Sequence, residues 1–438
     1  MKLFFTILVC RLLRFFGNLF GKGSSFPGLV ALKMCPDILS RVKLPEYIIA
    51  VTGSNGKTST VEMIAHILTE SGHKVAWNKE GSNQIEGVTT LILGSSTFSG
   101  RVKADIVLIE SDERFAQYTF KYITPTHYVI TNLYRDQLTR NGHPEWVFEA
   151  LSHSISPETQ LILNADDPLV SLFGADRDNV VWFGADELST DVKELRSVYN
   201  DGAYCPRCKK KMVYSLYHYN HIGHYKCTSC GYKRHDTDHA ITSVNLEKGE
   251  AVIDGRYKIT LALRSLYNIY NILAAFTAAS IVGVDGEKIA ADMSNFVMKN
   301  GRVVTFEIGP NKGMLLTSKH ENSISYDQSL TMAASDKNGC CVMLIVDAVS
   351  RKYFTSDVSW LWDIDFEKLD NPNVHRIILA GKYCNDLAVR FSYTDIPKEK
   401  ITIFEDIDKA YGFIEKDNRE FVYVITCFSD KNKFPSLL

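Results

Sequence analysis

The sequence carries almost no net charge. Its 49 Lys and Arg against 51 Asp and Glu leave a formal −2 over 438 residues, so no global field draws nucleic acid or an acidic polymer, and such a partner would have to be recognised locally. No apolar run is long enough and free enough of charge to span a bilayer. The opening MKLFFTILVCRLLRFFGNLFGKG has the cationic start and apolar stretch of a signal peptide, but Arg11 and Arg14 break it and no small-x-small cleavage site closes it. An amphipathic helix fits instead, with Phe4, Phe5, Leu8, Leu12, Phe15, Phe16 and Leu19 as its apolar surface and Arg11, Arg14 and Lys22 near its polar side. Such a helix packs on the first domain or lies on a membrane surface. A secreted disulfide framework is also missing: of ten cysteines, four form two C-x-x-C pairs and the rest, Cys10, Cys35, Cys340, Cys341, Cys384 and Cys427, are scattered. Reduced cytosol is the expectation. Internal repeats, low-complexity tracts and long linkers are absent.

What is present is a chain too long for one compact core, which at this length divides into two or three domains. The runs EYIIAV, KVAWN, ADIVLIE, HYVITNL, QLILNAD and NVVWFG alternate with helical patterns such as TSTVEMIAHILTESG. Runs apolar on both faces, alternating with helices, predict a doubly wound α/β fold whose parallel sheet is covered on each side. Periodicity breaks near residue 200 and resumes at YNIYNILAAFTAASIVG, so the stretch between reads as an insert. A second set of strands, CVMLIVD, VHRIILAG, KITIFED and EFVYVITC, predicts a smaller C-terminal α/β domain. The expected boundaries are a lead-in over 1–45, a central domain over 46–300 with its insert at 200–236, and a C-terminal domain over 301–438.

The stretch VTGSNGKTST, residues 51–60, lies between a predicted strand and a predicted helix. A Gly-rich turn there gathers backbone N–H groups and the positive end of a helix dipole, which suits phosphate. Gly53 and Gly56 let the backbone approach, Lys57 offers a cation to β/γ-phosphates and the Thr58 hydroxyl can hold Mg²⁺. Gly53, however, falls two residues later than G-x-x-x-x-G-K-[ST] requires.

That shortened spacing resembles the T-G-[TS]-N-G-K-[TS]-[TS] loop of the Mur ligase superfamily, ATP-dependent amide-forming enzymes, which adds Asn55 and Ser59 to the expected nucleotide contacts. Further matches fall in family order. LIESDE places Glu110 as the carboxylate that orients magnesium, with Glu113 as a helper. TNLYRDQL has Gln137 where many ligases carry a histidine, which puts a second magnesium in question. LYNIYNILAA supplies Asn268 and Asn271, one helical turn apart, for the adenine edge, and NGRV supplies Arg302 for phosphate or ribose.

Cys205 and Cys208, eighteen residues, then Cys227 and Cys230 form a spacing that signals a tetrahedral Cys₄ zinc ribbon. Four thiolates leave zinc no open position, so the role is structural and the metal folds an insert too small for its own core. His218, His221, His224 and His235 lie nearby without being needed as ligands. Arg207, Lys209, Lys210, Lys211, Lys233 and Arg234 read as a solvated or membrane-facing rim, with nucleic-acid binding as the alternative.

A Mur-type fold interrupted by a Cys₄ ribbon and followed by TSDVSWLWDIDFEKL resembles the MurT family over nearly the whole chain. The resemblance implies ATP-dependent amidation of the D-glutamate α-carboxylate of lipid II through an acyl phosphate, with ammonia from a GatD-type glutamine amidotransferase in a heterodimer. It also implies a cytoplasmic enzyme at the inner face of the membrane, and no nucleic acid. Asp357 would orient the partner's Cys–His pair; the local reading is that it caps a turn before an apolar helix. None of the ten cysteines sits in G-x-C-x-G, so the glutaminase would be another chain. VDAVSRKYFTSD and SKHENSISYDQ depart from the family's N-D-x-x-A-D-G and K-N-P-x-G-x-N-Q stretches, and Asp347 keeps only part of the pattern. Two other readings stay open. One is a Mur or folylpolyglutamate-type ligase that adds an amino acid, against which stands the lack of a lysine between Gln137 and Leu163. The other is a non-enzymatic zinc-ribbon binding protein.

Overall fold

The computed structural model describes residues 1–21, 23–79, 82–137, 141–195, 198–297, 303–318, 321–348, 356–416 and 421–434. The chain forms two compact units, one of Met1–Tyr134, His143–Leu195 and Asn200–Met298, the other of Arg135–Gly142, Arg196–Tyr199 and Lys299–Leu438.

The first unit holds β1 (Tyr47–Thr52), β2 (Val75–Trp77), β3 (Ile106–Glu110), β4 (His127–Ile130), β5 (Gln160–Asn164), β6 (Val180–Ala185), β7 (Met212–Tyr219), β8 (Ile222–Cys227), β9 (His239–Asn245), β10 (Glu250–Ile253) and β11 (Tyr257–Thr260). One sheet runs β11-β10-β9-β6-β5-β4-β1-β3-β2. It is parallel from β2 through β9, and β10 and β11 extend it antiparallel. The parallel part is the doubly wound sheet expected from the both-face apolar runs. Alternate residues of one strand enter opposite cores: Ile49 and Val51 join one, Ile48 and Ala50 the other. The helices Lys57–Glu70 and Leu266–Ile281 cover the first face. Strand order reverses around β1, which has β3 on one side and β4 on the other. Ligand crevices open at the carboxyl ends of strands at such a switch point.

The N-terminal helix Lys2–Leu19 packs on the helices Phe26–Met34 and Ile85–Ser95, burying Thr6, Ile7 and Cys10. Its charge placement differs from expectation. Arg11 faces the protein, donating to the carbonyls of Leu93 at 3.4 Å and of Ser96, at the end of the helix Ile85–Ser95. A guanidinium there satisfies orphan carbonyls and the negative end of the helix dipole. Among the described residues no helix is long and apolar enough to cross a membrane.

β7 and β8 pair as an antiparallel hairpin apart from the main sheet. The second unit has β12 (Val303–Ile308), β13 (Asn311–Ser318), β14 (Cys340–Ile345), β15 (Val374–Ala380), β16 (Ile401–Phe404) and β17 (Phe421–Cys427), ordered β12-β13-β17-β14-β15-β16. All neighbours are parallel except β12 and β13, and both faces are again apolar. The segment after Asp357 is a short 3-10 helix, Ser359–Asp363, rather than the apolar helix expected. Trp360 is buried against Tyr326, while Trp362 is partly exposed against Tyr393.

Candidate functional site

The phosphate loop is built by backbone conformations that only glycine adopts at no cost. Gly53 has φ of 141° and Gly56, which caps the helix Lys57–Glu70, has φ of 83°. A Cβ on Gly53 would lie 2.2 Å from Thr131 Oγ1, and one on Gly56 would lie 2.1 Å from Asn271 Oδ1. The residues just after β4 pin the loop. Ser54 N donates to Asn132 O and Asn55 N to Asn132 Oδ1, both at 2.9 Å, and Thr131 Oγ1 donates to Asn55 O at 3.0 Å. These contacts hold the loop open at the carboxyl end of the sheet, so the helix dipole and the crevice share one point.

Lys57 is 7% exposed, and its Nζ donates to Gly53 O at 2.5 Å and to Glu113 Oε2 at 2.8 Å. Glu113, expected as a helper to magnesium, is thus the ion-pair partner of the loop lysine. Glu110 sits at the end of β3, buried, with its backbone fixed on both sides by the amide of Asn78 at 2.8 and 2.9 Å. Asn83 Nδ2 reaches Glu110 Oε1 at 3.4 Å. Thr58 is exposed at the start of the helix and Ser59 is half-buried. A hydroxyl and a carboxylate are hard oxygen donors, the chemistry magnesium takes.

Ser265 caps the helix Leu266–Ile281 by accepting from Asn268 N at 3.3 Å. Asn271 borders the phosphate loop, whereas Asn268 turns its amide toward Leu263 O at 3.4 Å. Both are buried. Arg302 lies outside the described residues. Gln137, in the second unit, has φ of 52° and its N–H donates to Glu321 O at 3.1 Å. Asp357 is exposed and accepts from Ser359 N at 2.9 Å, which holds its carboxyl below the usual range. The loop-pinning roles of Thr131 and Asn132 were not read from the sequence although both open the TNLYRDQL stretch, and that of Asn78 was missed because its only signal is a place at a strand end.

The four cysteine sulfurs Sγ lie within 4.8 Å of one another, with Cys205–Cys230 at 3.6 Å and Cys208–Cys227 at 3.5 Å. A tetrahedral ion with Zn–S near 2.3 Å sets sulfurs about 3.8 Å apart, so the set fits zinc. Each C-x-x-C turn closes with a left-handed residue, Lys209 at φ of 60° and Gly231 at 74°. The N–H groups of Ser229 and Cys230 point at Cys227 Sγ from 3.4 and 3.5 Å. Among the described residues no histidine joins this set. His218 Nδ1 meets Asp191 at 2.6 Å, His224 Nε2 meets Ala185 O at 2.8 Å, and His235 stacks on Trp182. Asp166, near His218 and His224, is already bound by Arg234 at 2.5 Å, Tyr270 OH at 2.6 Å and Ala185 N at 2.7 Å. Arg234 therefore anchors the ribbon to the sheet rather than forming part of a solvated rim, and Arg207 pairs with Asp176.

A family model for the Mur ligase middle domain matches residues 51–279, and one for the MurT ligase C-terminal region matches residues 320–430. The MurT subunit of lipid II isoglutaminyl synthase (glutamine-hydrolyzing) from Staphylococcus aureus is 30% identical over 413 residues, 94% of this chain and 92% of that protein. Its counterpart from Streptococcus pneumoniae is 30% identical over 423 residues, covering 95% and 93%. Among solved structures, a pseudomurein peptide ligase type C from Methanothermus fervidus superposes with a TM-score of 0.70 at 21% identity, over 92% of this chain and 80% of that one, a likeness of fold. With both models in order and relatives matched almost end to end, the chain belongs to the MurT family of Mur ligases.

Proposed function

We propose that this chain amidates the α-carboxylate of D-glutamate in the stem peptide of lipid II, using ammonia released by a GatD-type glutamine amidotransferase chain. The observation that carries this reading is the near full-length match to MurT subunits by a chain whose phosphate loop is formed around a buried lysine. ATP is the co-substrate. The glutamate carboxylate oxygen attacks the γ-phosphorus, the bond to ADP breaks, and an acyl phosphate forms. Ammonia nitrogen then attacks the acyl carbon, phosphate leaves with its oxygen, and the nitrogen loses a proton to give the amide.

The residues supply charge and position. The loop at Gly53, Asn55, Gly56, Lys57, Thr58 and Ser59 would cradle the phosphates, with Lys57 exchanging Glu113 for the transferring phosphoryl oxygens. Magnesium, held by Thr58 and Glu110, would neutralise charge on the β- and γ-phosphates. Asn271 beside the loop, with Asn268 and Arg302, would receive the nucleoside. The zinc ribbon at Cys205, Cys208, Cys227 and Cys230 is structural. Asp357, ionised and exposed, would orient the partner's histidine as the third member of its triad. The acceptor is a membrane lipid, so the enzyme works at the cytoplasmic face of the membrane.

Asp357→Asn, assayed with the glutaminase, separates the two halves of the reaction. Amidation of lipid II driven by glutamine should fall by about two orders of magnitude or more, while amidation driven by added ammonium should persist. Equal glutamine-driven rates in variant and parent would remove Asp357 from this role.

A further inference from the structure

The N-terminal helix Lys2–Leu19 is inverted relative to an ordinary surface helix. Its packed side carries Thr6, Ile7 and Cys10, and Arg11 is turned inward onto the carbonyls of Leu93 and Ser96. The side facing solvent is apolar. Phe5, Leu12, Phe15, Phe16 and Leu19, with Phe20 just beyond, are between 49% and 79% exposed. Their spacing places the five helical residues on one stripe at 3.6 residues per turn. Phe4 packs against Phe98 with ring centroids 5.2 Å apart, and Phe26 and Leu29 of the next helix are exposed as well, so the apolar surface extends past one helix. Patches of this kind mark a surface that something apolar covers.

Charge selects the occupant. Before Asp37 the chain has five cations, Lys2, Arg11, Arg14, Lys22 and Lys33, and no carboxylate. This stands out in a protein whose overall charge is −2. Two copies joined through this face would set like charges together, whereas aromatic and leucine side chains in a segment whose only charges are cations, with Lys2 and Lys33 exposed, suit a bilayer bearing anionic headgroups. We infer that the stripe Phe5, Leu12, Phe15, Phe16, Leu19 and Phe20 is a membrane-docking face that seats the enzyme flat on an anionic lipid surface. The helix lies in the interface without spanning it, its rings in the headgroup and acyl boundary and Lys2 and Lys33 near phosphates. This deepens the function proposed above, since a membrane-borne acceptor calls for an enzyme held at the same surface, but it can be tested apart from catalysis.

The test is flotation of the full chain with vesicles lacking lipid II, made of phosphatidylcholine alone or mixed with phosphatidylglycerol. The parent should float with the mixed vesicles, less with phosphatidylcholine alone, and less as salt rises. Phe15→Gln with Phe16→Gln should weaken binding roughly tenfold or more. Because both side chains are exposed, thermal melting should be unchanged. Amidation of detergent-solubilised lipid II by the double variant should equal the parent's, which reports on the catalytic reading independently. Failure of the parent to float, or equal flotation of the double variant, would overturn the inference. So would a double variant that loses a dimer, or its complex with the glutaminase, in the absence of lipid, because the face would then be a protein interface.

Discussion

Lys57 and Glu113 allow stability and catalysis to be separated at one position. Both are nearly buried, at 7% and 3% exposure, with 2.8 Å between Nζ and Oε2. Lys57→Ala strands a buried carboxylate, and breaking a buried pair from one side costs about 3–5 kcal/mol. At about 2–4 °C per kcal/mol for a large domain, the melting midpoint should drop by roughly 6–20 °C. Loss of activity in that variant alone would therefore say little about chemistry. Adding Glu113→Gln removes the stranded charge, and the double variant should recover most of the lost stability. If Lys57 neutralises the transferring phosphoryl group, amidation by the recovered protein should still be lower by about 10²–10³, the cost of losing one preorganised charge in such a site. Glu113→Gln alone should keep measurable turnover, since the lysine remains. The assay pairs thermal melting with ATP-dependent amidation under saturating nucleotide. A double variant that is both stable and fully active would refute the assignment of Lys57 to phosphoryl transfer.

Gly56→Ala should abolish detectable nucleotide binding by calorimetry while the protein stays folded, because the new Cβ meets Asn271 Oδ1 at 2.1 Å and φ is 83°. Cys230→Ser should lower zinc content by metal analysis and speed amide hydrogen exchange in β7 and β8, since the insert has little core besides its metal. Burial raises the carboxyl of Asp327 to about 6, despite Lys368 at 3.4 Å and an N–H from Asp365 at 3.0 Å. The folded state thus holds that proton more tightly than the unfolded chain, and the stability it confers at low pH is lost as pH rises through about 6. Asp327→Asn keeps the acceptor for Asp365 without the charge; it should be more stable than the parent at about pH 8, by roughly 3 kcal/mol, with the gap closing near pH 4.

The strands β1, β3, β4 and β5 were legible because each is apolar on both faces, a pattern few other structures produce. The loop at Lys57 was legible because glycine positions and a Lys-Thr pair carry backbone geometry in the sequence itself. The strands β9, β10 and β11 were not, since their burial alternates, they are short, and β9 pairs with β6 across the whole zinc insert. Local pattern gives no information on that pairing. ESDE offered two glutamates, and which one meets Lys57 depends on a turn that no periodicity specifies. The rule that charge faces water puts Arg11 near the polar side of its helix. The rule failed because the carboxyl end of another helix, more than eighty residues away in sequence, supplies its acceptors. Asp357 was legible as a turn residue, since it accepts from Ser359 N, but Val358 and not Asp357 stands at the N-cap, and the apolar residues that follow form a 3-10 turn too short for helical spacing to describe.

The most direct measurement mixes this chain with the proposed GatD-type glutaminase, ATP, magnesium, glutamine and lipid II, and weighs the lipid product. The expected result is a product lighter by the difference between a hydroxyl and an amino group, with one ADP formed per product. Lipid II of unchanged mass while glutamine is being hydrolysed, or a product heavier by an amino-acid residue, would contradict it.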